Sequence, residues 1–246
     1  MIDNKIPKII HYIWLGGAPL PKIAEKCIES WKKFCPDYEI KRWDESNLNI
    51  DINKYCRQAY NMKKFAFASD VLRFEILKNE GGIYLDIDVE LIKPLDEFLS
   101  SEMICGFETS NLINPGVLIG AAPNHKIVQE LCEIYNAKEF VFNPQNQETV
   151  CNITTNKLIE YGLTANNTMQ SFDLFKAYPA EYFSPKSLTD GKIRKTKNTY
   201  AIHHFAGTWI GKKQKFKTKI LQFAKRLMGE KLVNKLKNRK SKKEDK

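Results

Sequence analysis

The segment that begins at Phe65 constrains the fold most, because it joins a helical pattern to a buried strand through two glycines. Apolar residues recur at helical spacing from Phe65 to Asn79. Gly81 and Gly82 then allow the left-handed backbone that commonly ends a helix. The next three residues, 83–85, are all apolar, which is typical of a strand covered on both faces. This order predicts a sheet with helices packed on it, that is, an α/β fold.

Strand-like and helix-like patterns alternate along the rest of the 246 residues, of which 43% are hydrophobic. A chain of this length and composition can bury one sizeable core. The predicted strands lie around 8–15, 38–43, 83–89, 103–108, 116–121 and 199–205, and the predicted helices around 20–34, 55–79, 124–136 and 149–161.

Asp86 and Asp88 follow the apolar run and form the pattern D-x-D. Two carboxylates two residues apart on a strand would project to the same side. Their oxygens suit Mg²⁺ or Mn²⁺, and the carboxyl end of a strand is where open α/β sheets bind ligands. Because short motifs recur by chance, two solvated carboxylates are the alternative to a metal site.

Asp70 and Arg73 lie three residues apart on the predicted helix and therefore share a face. This spacing is compatible with part of a ligand site just before the D-x-D pattern. It is equally compatible with an ordinary intrahelical ion pair.

Three separated blocks make the chain resemble the family 32 glycosyltransferases, which include fungal initiating mannosyltransferases and bacterial polysaccharide sugar transferases. The blocks are residues 9–17 (IIHYIWLGG), residues 69–88 with S-D-x-x-R and D-x-D, and residues 203–209 (HHFAGTW). The resemblance extends over residues 5–211, and it is more distant to the glucosylating domain of large clostridial toxins. It implies a GT-A-like, Rossmann-type α/β domain that binds a nucleotide sugar.

The resemblance implies roles for residues on the donor side. Trp14 would stack on the nucleotide base, Asp70 and Arg73 would hold the donor sugar, and Tyr84 would line the donor pocket. Trp14 ends an apolar run, so a place in the core is its alternative, although glycines directly after it would let a flat ligand approach. Stacking does not choose between bases.

For the metal, the resemblance implies Asp86, Asp88 and a late histidine, His204, five residues before Trp209. A site that adds an imidazole nitrogen to carboxylate oxygens is accepted more readily by Mn²⁺ than by Mg²⁺. His203 is the competing ligand, because adjacent residues of a strand point to opposite faces. For either histidine, a hydrogen bond to the backbone is the purely structural alternative.

The last block would close over the diphosphate, with Thr208 and Trp209 in contact with the donor. Thr208 stands where family members commonly carry serine and would keep a hydroxyl for the phosphate. Asn114 resembles a family position near the sugar, but an asparagine before a proline is also a common turn opener.

The activity implied by the resemblance is the retaining transfer of a hexose from a UDP- or GDP-linked sugar, with UDP favoured, to a glycan acceptor. We expect a lipid-linked oligosaccharide acceptor in polysaccharide biosynthesis and a divalent cation that stabilises the leaving diphosphate. The sequence names no nucleophile, since neither Glu108 nor Asp173 decides between a carboxylate nucleophile and front-side attack by the acceptor. A non-catalytic nucleotide-sugar-binding relative is the alternative.

Charge separates the end of the chain from the rest. Residues 212–246 hold 15 Lys and Arg against three acidic residues, whereas the other 211 residues hold 24 basic and 26 acidic ones. Apolar positions from Phe216 to Leu236 predict a basic amphipathic helix. We therefore predict a glycosyltransferase domain at 1–211 and a basic tail at 212–246.

The predicted tail has more than one interpretation. It would bind an anionic membrane surface, or pack on its own domain with its lysines in solvent. Nucleic-acid binding is disfavoured, because the net acidic first 211 residues offer no second basic surface.

The chain contains no C-x-x-C pair, which predicts free thiols and a reducing compartment. It has no signal-peptide pattern and no apolar stretch near 18 residues. We therefore expect a cytoplasmic protein that binds peripherally to the inner face of the cytoplasmic membrane. The six cysteines are Cys27, Cys35, Cys56, Cys105, Cys132 and Cys151.

Overall fold

The computed structural model describes residues 5–207 and Lys225. In this part of the chain the strands are β1 Ile9–Ile13, β2 Glu39–Trp43, β3 Gly82–Tyr84, β4 Val89–Leu91, β5 Met103–Gly106, β6 Ile119–Ala121, β7 Gln170–Ser171, β8 Lys176–Tyr178 and β9 Ala201–His203. The α-helices are α1 Lys22–Phe34, α2 Lys54–Asn61, α3 Phe65–Glu80, α4 Lys126–Asn136, α5 Val150–Glu160 and α6 Ala180–Phe183.

The central sheet has seven strands in the order β2-β1-β3-β6-β5-β8-β7. β1 pairs in parallel with both β2 and β3, and β5 pairs in parallel with β8. β6 and β7 run antiparallel to their neighbours, and a separate antiparallel pair joins β4 to β9. Five of the seven strands therefore point in the same direction and only β6 and β7 oppose them, so the sheet is mainly parallel and the predicted α/β class is confirmed.

Two hydrophobic clusters cover the two faces of this sheet. One contains apolar residues of α2, α3, α4 and α5, and the other contains the buried face of α1. Neighbouring residues of β3 belong to different clusters: Tyr84 to the first and Ile83 to the second. This alternation explains why 83–85 are all apolar, as a strand covered on both faces requires.

Two predicted elements are interrupted. The helix expected over 55–79 is two helices, because the chain turns at Lys63, whose φ is +56°. The strand expected over 83–89 is divided into β3 and β4 by a turn closed by the bond from Val89 N to Asp86 O, 3.0 Å long. The prediction also missed β7, β8 and α6, which are short and follow a segment without clear periodicity.

The glycine pair at the end of α3 fixes where β3 begins. Gly82 has a φ of +91°, and a Cβ there would lie 2.8 Å from Nε2 of His11. The imidazole of His11 is buried and donates from Nε2 to the carbonyl of Gly81 (2.9 Å), while its Nδ1 accepts from Trp43 Nε1 (3.0 Å). Both ring nitrogens are thereby satisfied, and the helix end is held against β1.

A buried tryptophan holds the other side of the D-x-D turn. Trp31 of α1 is fully buried and donates from Nε1 to the carbonyl of Val89 at 2.7 Å. This hydrogen bond fixes the start of β4 against α1. The turn between β3 and β4 is thus anchored at both of its ends.

Candidate functional site

The two aspartates of the D-x-D pattern lie in the turn between β3 and β4, not on a strand as the sequence predicted. The side chains still converge, because the turn is fixed by backbone hydrogen bonds. Asp86 N donates to the carbonyl of Gly116 at 2.8 Å. The carboxylate of Asp88 is buried and accepts from Ala206 N at 2.6 Å, which brings the segment after β9 onto the turn.

A histidine completes this carboxylate pair. Asp86, Asp88 and His203 each offer one ligand atom, and these atoms lie within 4.8 Å of one another. The Nε2 of His203 is 3.4 Å from Asp88 Oδ1. Two carboxylate oxygens and one imidazole nitrogen form a donor set that fits a divalent cation such as Mn²⁺.

The structure places His203 in this group, and the prediction of His204 needs correction. The Nε2 of His204 lies 2.7 Å from Glu90 Oε2, on the far side of the turn, and Glu90 also pairs with Lys26. The physical reason is the register of the β4–β9 pair, which places His203 opposite Val89. Since neighbouring side chains of a strand alternate, only one of the two imidazoles reaches the aspartates.

The positive charge of a protonated His203 and the negative charge of Asp88 stabilise each other. Burial alone would lower the pKa of His203, but hydrogen bonds to Asp88 and to Glu108 outweigh it and raise that pKa to about 10. Burial likewise raises the pKa of Asp88, yet His203 and Ala206 N–H more than offset it, so the net direction is downwards. The carboxylate of Asp88 is therefore stabilised as an anion, the form that binds cations.

Arg73 and Asp70 form a buried ion pair on α3. Arg73 Nη2 lies 2.6 Å from Asp70 Oδ1 and 3.7 Å from Asp86 Oδ1. The Arg73 guanidinium stacks 4.6 Å from the ring centre of Tyr84, whose hydroxyl donates to Asp86 Oδ1 at 3.1 Å. Burial raises the pKa of Asp70 to about 7, an effect that the positive charge of Arg73 only partly offsets. Helix α3 and strand β3 thus present these groups together.

Gly116 has no side chain, and this leaves room for the Asp86 carboxylate and the Arg73 guanidinium. A Cβ at this position would lie 2.1 Å from Asp86 Oδ2 and 3.0 Å from Arg73 Nη1. No side chain larger than hydrogen fits there without displacing the aspartate. The sequence prediction missed this role, because the contact depends on β6 lying beside β3.

Trp14 lies at the same edge of the sheet as the aspartates. His11 of β1 is in register with Tyr84 of β3, and both strands run in the same direction, so their carboxyl ends meet. Trp14 is half-buried, and its Nε1 donates to the carbonyl of Ala18 at 2.5 Å. This hydrogen bond fixes the edge of the indole.

Asn114 holds a turn. Its Oδ1 accepts from Gly116 N, and its Nδ2 donates to Glu108 Oε1, each at 2.7 Å. This is the turn-opening role that the sequence analysis gave as the alternative for Asn114.

Thr208 and Trp209 lie outside the described residues, as does the predicted tail at 212–246 apart from Lys225.

The two carboxylates considered as nucleophiles lie in different places. Glu108 accepts hydrogen bonds from Asn114 and His203. Asp173 is exposed in a separate pocket lined by Tyr161 and Phe172.

Among the described helices, none is long and apolar enough to cross a membrane. The cysteines in the described region are all free, as predicted.

Part of this chain resembles known proteins in sequence. Residues 21–104, which include both aspartates, match the model of the family described as "Glycosyltransferase sugar-binding region containing DXD motif". An uncharacterized glycosyltransferase, L373, of Acanthamoeba polyphaga mimivirus is 26% identical over 76% of this chain and 76% of its own length. Inositol phosphoceramide mannosyltransferase 3 of Schizosaccharomyces pombe is 30% identical over 56% of this chain.

The match to the yeast enzyme spans only 39% of that enzyme's length. Among solved structures, the glycosyltransferase PaToxG superposes with a TM-score of 0.51 at 20% identity, over 63% of this chain and 70% of that one. This likeness concerns the fold and confirms the predicted GT-A-like α/β domain.

Proposed function

We propose that this chain, a DXD-containing glycosyltransferase distantly related to bacterial toxins, transfers a hexose from a nucleotide sugar to a glycan with retention of configuration. The observation that carries the proposal is the juxtaposition of the Asp86, Asp88 and His203 ligand group with the buried Arg73–Asp70 pair. One half of this arrangement suits a metal-bound diphosphate, and the other half suits sugar hydroxyls.

The arginine supplies the donor-binding argument. Arg73 Nη1 is buried and has no hydrogen-bond partner among residues 5–207. A buried guanidinium N–H without a partner is costly, so a ligand hydroxyl that accepts from it would be bound favourably. Asp70 holds the other side of the guanidinium at 2.6 Å. Arg73 would therefore orient the donor sugar beside Asp86.

Asp86, Asp88 and His203 are the residues that would hold a divalent cation. Such a cation supplies Lewis-acid stabilisation of the negative charge on the departing diphosphate. In the sequence, Ala206, Thr208 and Trp209 come three to six residues after the end of β9, and Ala206 N donates to the carboxylate of Asp88. We propose that this segment closes over the diphosphate and excludes water.

Retention of configuration is proposed to occur by front-side attack of the acceptor hydroxyl. Glu108 is engaged by His203 and Asn114, and Asp173 lies in a separate pocket. Neither carboxylate is therefore available as a nucleophile in the described arrangement. The attacking hydroxyl would instead lose its proton to the leaving diphosphate, whose negative charge a cation held by Asp86, Asp88 and His203 would stabilise.

For the substrates, the proposal is a UDP- or GDP-linked hexose, with UDP favoured, and a lipid-linked oligosaccharide as the acceptor. The mannosyltransferase activity named for the yeast relative makes mannose a candidate sugar.

The net charge of +12 over residues 212–246 supports binding to an anionic membrane that carries such acceptors. A truncation after Gly211 would then lose binding to anionic liposomes and keep turnover on a soluble acceptor; unchanged liposome binding would remove the membrane role.

The decisive experiment is a screen of UDP-, GDP- and CMP-sugars for hydrolysis with and without Mn²⁺. We expect slow Mn²⁺-dependent release of one nucleotide by the wild type and none by Asp88→Ala. The matched control is Asp51→Ala, which removes an exposed aspartate paired with Arg57 and should behave as the wild type.

A non-catalytic relative would give a different result. It would bind a nucleoside diphosphate by calorimetry yet release nothing from any donor, even when oligosaccharide acceptors are added. Turnover that is equal in the wild type and in Asp88→Ala would remove the metal site from the proposed mechanism.

A further inference from the structure

A largely buried carboxylate outside the D-x-D pattern lies against the histidine of the ligand group. Glu108 Oε1 is 3.1 Å from Nδ1 of His203, and the two side chains are only 13% and 9% exposed. The other ring nitrogen of His203 faces Asp88. An imidazole that donates from Nδ1 to a carboxylate can bind a cation through Nε2 once the proton on Nε2 has been released, because only the neutral ring offers a free lone pair.

The position of Glu108 is itself fixed by the loop that follows β5. The loop is closed by the pair Phe107–Ile113 and by the bond from Glu108 N to the carbonyl of Leu112, 2.9 Å long. Ile113 N donates to the buried hydroxyl of Thr155 on α5 at 2.9 Å. The loop that contains Glu108 is therefore held in place by hydrogen bonds within itself and to α5.

Asn114 links this loop to the first aspartate. It donates from Nδ2 to Glu108 Oε1 and accepts at Oδ1 from Gly116 N, and the carbonyl of Gly116 accepts from Asp86 N. One chain of hydrogen bonds thus runs from His203 through Glu108, Asn114 and Gly116 to the backbone of Asp86. It holds two of the three ligand residues at a fixed separation.

We propose that Glu108 is a positioning residue for the metal site: with Asn114, it holds the His203 imidazole so that Nε2 joins Asp86 and Asp88 in binding a divalent cation. This inference rests on the proposed function in requiring that the group binds metal. Outer carboxylates that orient a metal-bound histidine commonly change metal affinity about 10- to 100-fold when they are replaced.

The chain provides a matched control one residue further along. Glu90 Oε2 contacts Nε2 of His204 at 2.7 Å, so it forms the same kind of carboxylate–histidine pair. His204 is not a member of the ligand group. Replacement of Glu90 therefore removes a comparable contact beside the site without affecting the orientation of His203.

The test measures binding of Mn²⁺ alone, by electron paramagnetic resonance titration, in the full chain and in the variants Glu108→Gln, Glu108→Ala, Glu90→Gln and His203→Ala. Glutamine keeps the size of the side chain and can still accept from the imidazole, but it lacks the negative charge. We expect Glu108→Gln to weaken Mn²⁺ binding about tenfold, Glu108→Ala to weaken it further, and Glu90→Gln to leave it unchanged. Circular dichroism melting would check that each variant is folded.

Four results would overturn the inference, and the last of them would also overturn the proposed function. Wild-type affinity in both Glu108 variants would show that the carboxylate does not position the ligand. Equal losses in Glu90→Gln and Glu108→Gln would show a general electrostatic effect. Wild-type affinity in His203→Ala would show that His203 is not a ligand. Failure of the wild-type chain to bind Mn²⁺ would instead remove the metal from the proposed function, and the inference with it.

Discussion

Arg73 and Asp70 form a buried ion pair that is satisfied on one side only: Nη2 of Arg73 lies 2.6 Å from the carboxylate, while Nη1 has no hydrogen-bond partner among residues 5–207. Both side chains are almost completely buried. A pair of this kind costs desolvation energy that its own contacts only partly return. In the proposed function this unsatisfied nitrogen is the donor that binds a hydroxyl of the sugar.

Removal of Asp70 should destabilise the fold strongly. Asp70→Ala leaves the guanidinium of Arg73 buried with its main partner lost, and breaking a buried pair in this way typically costs about 3 to 5 kcal/mol of unfolding free energy. The control is Glu139→Ala, which breaks an exposed pair with Lys54 and should cost less than about 1 kcal/mol. Urea unfolding of both variants measures the difference, and equal losses would contradict this account of the pair.

Replacement of Arg73 by lysine should affect turnover more than charge alone predicts. Lysine keeps a positive charge near Asp70 but cannot present a second nitrogen in the fixed plane of a guanidinium. Loss of one preorganised donor commonly lowers kcat about 100-fold or more. We expect such a loss in Arg73→Lys and wild-type turnover in Arg42→Lys, whose arginine pairs with Asp44. Full turnover in Arg73→Lys would exclude Nη1 as a sugar-binding donor.

The sequence predicted the parts of this site that depend on local spacing. The Arg73–Asp70 contact follows from the i, i+3 geometry of α3, and the buried strand β3 follows from three consecutive apolar residues. Patterns of this kind are set by the geometry of a helix or a strand. They therefore identified the helix, the glycine turn and the two aspartates together.

The remaining parts depend on contacts between distant segments. Which histidine reaches the aspartates is decided by the register between β4 and β9, and a shift of one residue would exchange His203 and His204. Glu108 meets His203 across 95 positions of the chain. No local pattern records such a contact, so from the sequence Glu108 is considered only as a nucleophile and is not placed beside the histidine.

Gly116 should be intolerant of even one methyl group. A Cβ there would lie 2.1 Å from Asp86 Oδ2, a separation at which the carboxylate has to move from its present position. We expect Gly116→Ala to lower the affinity for Mn²⁺ about tenfold or more, because the ligand group loses its spacing. The control for the added methyl group is Gly17→Ala: a Cβ on Gly17 meets no atom of the described residues within 4 Å, so its cost is only the backbone strain of an alanine at a φ of +66°. Equal Mn²⁺ affinity in both variants would show that Asp86 adapts.

His11 should make the stability of the protein depend on pH. Burial lowers the pKa of this imidazole to about 4, despite the hydrogen bond to Gly81, from an ordinary value of 6.5. Between these two values the unfolded chain binds a proton at His11 that the folded chain does not, so the free energy of unfolding falls as the pH falls from about 6.5 to about 4. The full contribution is about 3 kcal/mol.

His11→Gln isolates this contribution, because a glutamine offers a donor for the Gly81 carbonyl and an acceptor for Trp43 but does not titrate. We would compare the free energies of unfolding of the wild type and the variant by urea denaturation at several pH values between 4 and 7. The wild type should lose stability relative to the variant as the pH decreases through this range. If the unfolding free energies of the two proteins change with pH in parallel, His11 has the same pKa in the folded and unfolded chains. The interpretation that a neutral imidazole holds the glycine turn against β1 would then be wrong.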